Sequence, residues 1–121
     1  MIGIGTDLVE VDRFRLALAR TPSLAERLFS ESERVDAGRR RDPTPSLAAR
    51  FAAKEAVMKA LGVGLGHFAL RDIEVMRSPS GAPSLRLHGA AAAEAAEQGV
   101  AGWRLSLSHT PRLAQAVAVA L

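Results

Sequence analysis

Apolar positions alternate with small or polar ones at the start of the chain. Ile2, Ile4, Thr6 and Leu8 fall on one side, and Gly3, Gly5, Asp7 and Val9 on the other, which is the two-residue period of a strand over 2–11. A glycine inside a strand often marks the close approach of another backbone or of a ligand. Asp7 shares the glycine side, so it sits either in a tight space or, as an ordinary strand-end carboxylate, in solvent. From Val11 to about Arg40 the period becomes helical, with a break at Thr21 and Pro22. Ser30 and Glu33 have the spacing of a capping box, which predicts another short helix running towards Gly38.

Arg39, Arg40 and Arg41, followed by Pro43 and Pro45, predict a surface loop, either simply solvated or holding an anion. The longest helix then opens at Thr44 or Ser46 and closes at Gly62, where a left-handed residue is expected. Along it Ala49, Ala52, Ala53, Ala56 and Ala60 recur at steps of three and four, so a neighbour can pack unusually close and the helix should be central. The GVGLGH segment that follows fits two roles, a backbone cradle for a phosphate and a flexible exit from the helix. Residues 72–78 and 83–88 read as two strands joined by a Pro–Gly turn, and 88–99 as an alanine-rich helix. Residues 103–110 and 113–121 read as an antiparallel hairpin with His109 near its bend. In the last strand Ala114, Ala116, Ala118 and Ala120 leave one face nearly smooth. That face invites packing, against a helix of the same chain or against an identical subunit. A chain with only five aromatic residues builds a thin core, for which subunit contact is a natural supplement.

A length of 121 residues suits one domain over 1–121. No run approaches the roughly 20 apolar residues of a membrane span, and Asp7 and Glu10 interrupt the pattern of a signal peptide, so a cytoplasmic protein outside the membrane is expected. The absence of cysteine excludes disulfides, thiolate chemistry and sulfur-based zinc sites, which leaves carboxylates and three histidines for any metal. A formal charge of +3 does not imply nucleic-acid binding. There is no Tyr and only one Trp to stack bases, and the arginines are interleaved with acids.

The chemistry concentrates in RFAAKEAVMKALG, which holds both lysines of the chain. On a helix Glu55 and Lys59 share a flank, while Arg50 and Lys54 share another about 100° away. An exposed salt-bridged face is one explanation. The other joins Glu55 to Asp7: two carboxylates from separate elements with cations beside them can hold Mg²⁺ and a polyphosphate, because that ion takes one or two protein oxygens and leaves the remainder to phosphate and water. Cations stabilise the remaining charge.

GIGTDLVEVDRF at 3–14, RFAAKEAVMKALG at 50–62 and SLSHT at 106–110 resemble, in that order, the three signature regions of the holo-acyl-carrier-protein synthases, small 4'-phosphopantetheinyl transferases. The resemblance spans nearly the whole chain. It implies an α+β fold, a small antiparallel sheet packed against a long central helix, assembled as a homotrimer with active sites at subunit interfaces. It implies transfer of 4'-phosphopantetheine from coenzyme A to a serine of apo acyl carrier protein, with Mg²⁺ as cofactor and adenosine 3',5'-bisphosphate released. By the same resemblance Asp7 and Glu55 are metal ligands, and Lys54 and His109 join them as catalytic residues. Arg50, Lys59, Gly62, Val63, Gly64 and His109 are coenzyme-binding. Arg13, Arg20 and Arg27 are expected to dock the acidic carrier, since the fork of arginine pairs two carboxylate oxygens. His67 and His88 receive no role. The rival from another class is a non-enzymatic, arginine-rich polyanion-binding module. A nucleotide hydrolase is the third reading, and it lacks a P-loop sequence.

Overall fold

The computed structural model describes residues 1–121. Strand β1 (Gly3–Glu10) leads directly into helix α1 (Val11–Arg20), and the short α2 (Leu24–Leu28) follows the break at Thr21 and Pro22. Helix α3 (Glu31–Gly38) starts with the expected capping box. The Ser30 hydroxyl accepts from the Glu33 amide, and the Glu33 carboxylate accepts from the Ser30 amide. Helix α4 (Thr44–Leu61) carries a proline in its first turn, where the missing N–H costs nothing, and ends at Gly62 with φ 71°. A 3₁₀ turn (Leu70–Asp72) precedes β2 (Ile73–Arg77) and β3 (Pro83–Leu87), then come α5 (Gly89–Glu97), β4 (Trp103–His109) and β5 (Leu113–Ala120).

The strands form two antiparallel units rather than one sheet: a three-stranded sheet in the order β1-β5-β4 and a β2-β3 ribbon. Helix α4 lies across the first unit and is almost wholly buried. Its contact with β1 is made through backbone. A Cβ on Gly3 would lie 1.9 Å from the Ala60 carbonyl oxygen, and one on Gly5 would lie 1.9 Å from that of Ala56. Only residues without side chains allow this approach, and it places Asp7, two positions further along the same face, beside the helix.

The alanine face of β5 turns inward. Ala114, Ala116, Ala118 and Ala120 are fully buried, with Ala116 and Ala118 in one core cluster with Ala52, Ala53 and Ala56 of α4. The smooth face therefore belongs to the intramolecular helix. The opposite face carries Ile4, paired with Val119, and Thr6, paired with Val117, and Ile4 is 58% exposed. If copies of the chain meet at this sheet, they meet through its branched side chains rather than its alanines. No helix is long and apolar enough to cross a membrane.

Candidate active site

Asp7 reaches the edge of β1 where α4 passes, and Glu55 stands on the same stretch of helix. Both line a groove of about 650 Å³. Its walls are mostly apolar, from Leu8, Phe14, Leu28, Phe51 and Leu65 among others, and Arg13 and Glu10 lie at its rim. The rings of Phe14 and Phe51 stack with centroids 5.1 Å apart, which ties α1 to α4 across the groove floor. Phe51, Glu55 and Lys59 follow one another at steps of four, so a single stripe of the helix supplies wall, carboxylate and cation.

Lys59 donates to Asp7 Oδ1 at 3.1 Å and to the Thr6 carbonyl at 2.9 Å. Burial pushes the Glu55 carboxyl above the ordinary carboxylate range, the charge of Asp7 pushes it further, and Lys59 pulls it part of the way back. A half-buried carboxylate raised by a neighbouring acid, with a lysine paired to that neighbour, makes a donor set that a hard divalent cation would relieve. No third His, Asp or Glu completes a metal cluster, so substrate oxygens and water would fill the other positions of an octahedral ion.

Lys54, expected among the catalytic residues, does not line this groove. Its side chain is fully buried, and Nζ donates to Glu33 Oε1 at 2.8 Å, to the Leu70 carbonyl at 3.1 Å and to the Ile73 carbonyl. All three donors are used inside the protein. The reason is rotational: Lys54 is one residue, about 100°, from Glu55, whereas Lys59 is about 40° away. Glu33 in turn accepts from the Ser30 and Val75 amides. Beside it Glu74 accepts from the hydroxyls of Ser30 and Ser32 and from His88, contacts that hold its carboxyl down at about 2, the Ser30 bond contributing most.

Arg50 also points away, about 140° from Glu55. It is 2% exposed and paired with Asp36 and Ser46, on the wall of a separate cavity of about 260 Å³ shared with Arg39 and Arg77. There burial, with Arg40 and Arg50 nearby, lowers the Arg77 guanidinium, so cations outnumber the one acid, Asp36. His109 ends β4, exposed and separated from β1 by β5. Within one chain, then, neither Arg50 nor His109 lines the groove of Asp7 and Glu55. Gly62, Val63 and Gly64 leave the end of α4 as a loop whose Leu65 reaches the groove. Arg13, Arg20 and Arg27 are all exposed along α1 and α2. Arg15 is not free in the same way, because its guanidinium clasps both oxygens of Asp42 at 2.9 Å.

The apolar groove wall was not anticipated from the sequence. The four-residue step from Phe51 to Glu55 was the available signal, and it required knowing which side of α4 faces an opening.

The family model of the 4'-phosphopantetheinyl transferase superfamily matches residues 3–118. The chain is 53% identical over 120 residues to the holo-[acyl-carrier-protein] synthase of Streptomyces coelicolor, covering 99% of this chain and 97% of that one. Among solved structures, that of the Neisseria meningitidis holo-[acyl-carrier-protein] synthase superposes with a TM-score of 0.88 at 34% identity, covering 100% and 99% of the two chains. The Helicobacter pylori synthase in complex with coenzyme A superposes with a TM-score of 0.86 at 33% identity over 98% and 99%.

Proposed function

The chain belongs to the 4'-phosphopantetheinyl transferase superfamily, and from that premise we propose that the Asp7–Glu55 groove is its Mg²⁺-dependent active site. The enzyme transfers 4'-phosphopantetheine from coenzyme A to a serine of apo acyl carrier protein, yielding the holo carrier and adenosine 3',5'-bisphosphate. The observation that carries the assignment of the site is the pair of acids from β1 and α4 lining one apolar groove, with Lys59 donating to Asp7 beside it.

Asp7 and Glu55 would hold the metal, which would supply Lewis-acid chemistry to the pyrophosphate. Lys59, half-exposed at the same edge, neutralises phosphate charge and takes the role first expected of Lys54. The apolar walls exclude water from the reacting bond. One phosphorus–oxygen bond of the pyrophosphate breaks, releasing adenosine 3',5'-bisphosphate, and one forms to the serine oxygen, whose hydroxyl proton is released to solvent. Gly62, Val63 and Gly64 pass along the coenzyme.

Arg13 at the groove rim, with Arg20 and Arg27 beyond it, meets the acidic carrier. Copies of the chain pack through the outer sheet face of Ile4, Val117 and Val119 as a homotrimer with active sites at the interfaces. Arg50 and His109, which stay outside the groove of their own chain, then serve the coenzyme of an adjacent copy; the surplus of cations around Arg50 supports this. The whole of 1–121 acts as one catalytic domain, working in the cytoplasm.

The test is to incubate the protein with coenzyme A and apo carrier, with Mg²⁺ or with chelator, and to weigh the carrier by mass spectrometry. Mass gain that requires the cation is expected; an unmodified carrier in the presence of Mg²⁺ rejects the transferase, and gain in chelator rejects the metal. Arg13→Glu should weaken carrier binding in a salt-sensitive way. A polyanion-binding module predicts no mass gain at all.

A further inference from the structure

Helix α5 is built of alanines whose buried members, Ala91 and Ala95, pack into the core. Two of its polar residues reach back to the glycine-rich segment that leaves α4. Glu94 Oε1 lies 2.9 Å from His67 Nε2, and Gln98 Nε2 donates to the Leu61 carbonyl at 2.8 Å. Glu94 and Gln98 are four positions apart, one turn on the same flank. Leu61 and His67 are the two ends of the segment, so a single face of α5 grips the loop at both its departure and its return.

Between the grips Val63 packs against the core, and the crest from Gly64 to Gly66 has little else to order it. Three of the loop's five residues are glycine, and Gly62 and Gly66 take φ of 71° and 89°. A Cβ at Gly62, Gly64 or Gly66 would meet no heavy atom within 4 Å, so the loop stands clear of the body at these positions. Its backbone bonds are the helix-end pair, Gly62 amide to the Lys59 carbonyl and Val63 amide to the Met58 carbonyl, both at 3.0 Å, and the His67 amide to the Gly64 carbonyl at 3.2 Å. Beyond it Phe68 is buried, and its ring meets His67 edge-on. Yet Leu65, 71% exposed at the crest, lines the groove of Asp7 and Glu55.

We propose that Glu94 and Gln98 are positioning residues for coenzyme binding, acting through His67 and Leu61 to hold loop 62–66 in its binding-competent form without touching the substrate. The proposal rests on the assignment of the groove to coenzyme A. A glycine-rich loop released from its grips spreads over many conformations, and coenzyme binding must then supply the ordering. Apparent affinity falls in proportion to the competent fraction. Once the coenzyme is seated the loop is ordered, so turnover is spared.

The test uses the full chain with Glu94→Ala, Glu94→Gln and Gln98→Ala, folding being checked by circular dichroism. Amide hydrogen exchange is followed in peptides spanning 61–68 of the coenzyme-free protein, and steady-state kinetics are measured with coenzyme A and apo carrier. Glu94→Ala and Gln98→Ala should each speed exchange in 62–67 and raise KM for coenzyme A by about 5–10-fold, while kcat and the carrier KM stay within about twofold. Glu94→Gln keeps an acceptor for His67 and should restore both readouts to near wild type. Unchanged exchange in 61–68 in both alanine variants overturns the proposal, as does a loss spread evenly over kcat and both KM values. If the wild-type protein fails to modify any carrier, the transferase reading falls, and the exchange arm alone decides whether α5 restrains the loop.

Discussion

Helix α4 carries two acid–lysine clusters on different sides, built from the same residue types and used in opposite ways. On one side Lys54, Glu33 and their neighbours are sealed from water, with every donor of the lysine and both oxygens of Glu33 engaged by protein. On the other side Asp7 and Glu55 face a groove and share Lys59, which is 55% exposed. Residue type does not separate scaffold from site here. Satisfaction does: the sealed cluster has no valence left for a ligand, whereas in the open one Asp7 pairs with Lys59 and Glu55 lines the groove without an ion pair.

The sharpest way to break this contrast is to remove the open acids. Asp7→Ala or Glu55→Ala should cut the single-turnover rate by about 10³-fold while leaving the unfolding free energy from urea denaturation within about 0.5 kcal/mol of wild type; turnover near normal in either variant would end the assignment. The sealed cluster should behave in reverse. Lys54→Ala leaves Glu33 as a bare buried charge and should cost about 3–5 kcal/mol of stability, measured by urea denaturation. In the double variant Glu33→Gln with Lys54→Met much of that loss should return, because no uncompensated charge remains. A Lys54→Ala protein of normal stability that had lost only turnover would restore the lysine to catalysis.

Lys59→Met should lower kcat/KM by about 10–100-fold and barely move the melting temperature, since an exposed ion pair contributes little. Acid should act on the sealed side through Glu74. With its carboxyl held at about 2 against an ordinary 4.5, it contributes stability above pH 4.5 that is lost as pH falls from about 4.5 towards 2. Glu74→Gln should flatten that part of the stability profile. The smallest expected effect has the opposite sign. Because the Glu55 carboxyl is pushed up, its ionised form opposes folding at neutral pH, and stability rises as pH falls through its raised pKa. Glu55→Gln should therefore lift the melting temperature of metal-free protein by about 1–3 °C, while still abolishing transfer.

Local signals carried most of the fold. The capping box at Ser30 and Glu33, the break at Pro22 and the left-handed stop at Gly62 depend on neighbouring residues, and each falls where the pattern placed it. The division into a sheet and a separate ribbon is set by pairing between distant strands and was not legible. The partners of buried cations were hidden for the same reason: Lys54 meets Glu33 across 21 positions and Arg50 meets Asp36 across 14. That Lys59 rather than Lys54 stands beside Glu55 was nonetheless present in the helical repeat, because only Lys59 follows Glu55 by a full turn. The alanines of β5 show the limit of pattern alone. Alternation marked a smooth face, and only the bare backbone of Gly3 and Gly5 showed that α4 comes close enough to claim it.

That main-chain contact also acts as a gauge. Asp7 follows Gly5 by two residues and Glu55 precedes Ala56 by one, so the width of the acid pair is inherited from how near strand and helix can come. A single methyl at residue 3 or 5 would pry them apart and widen the gap between the two carboxylates before either had been changed. The spacing of the two acids is thus written partly in two hydrogens.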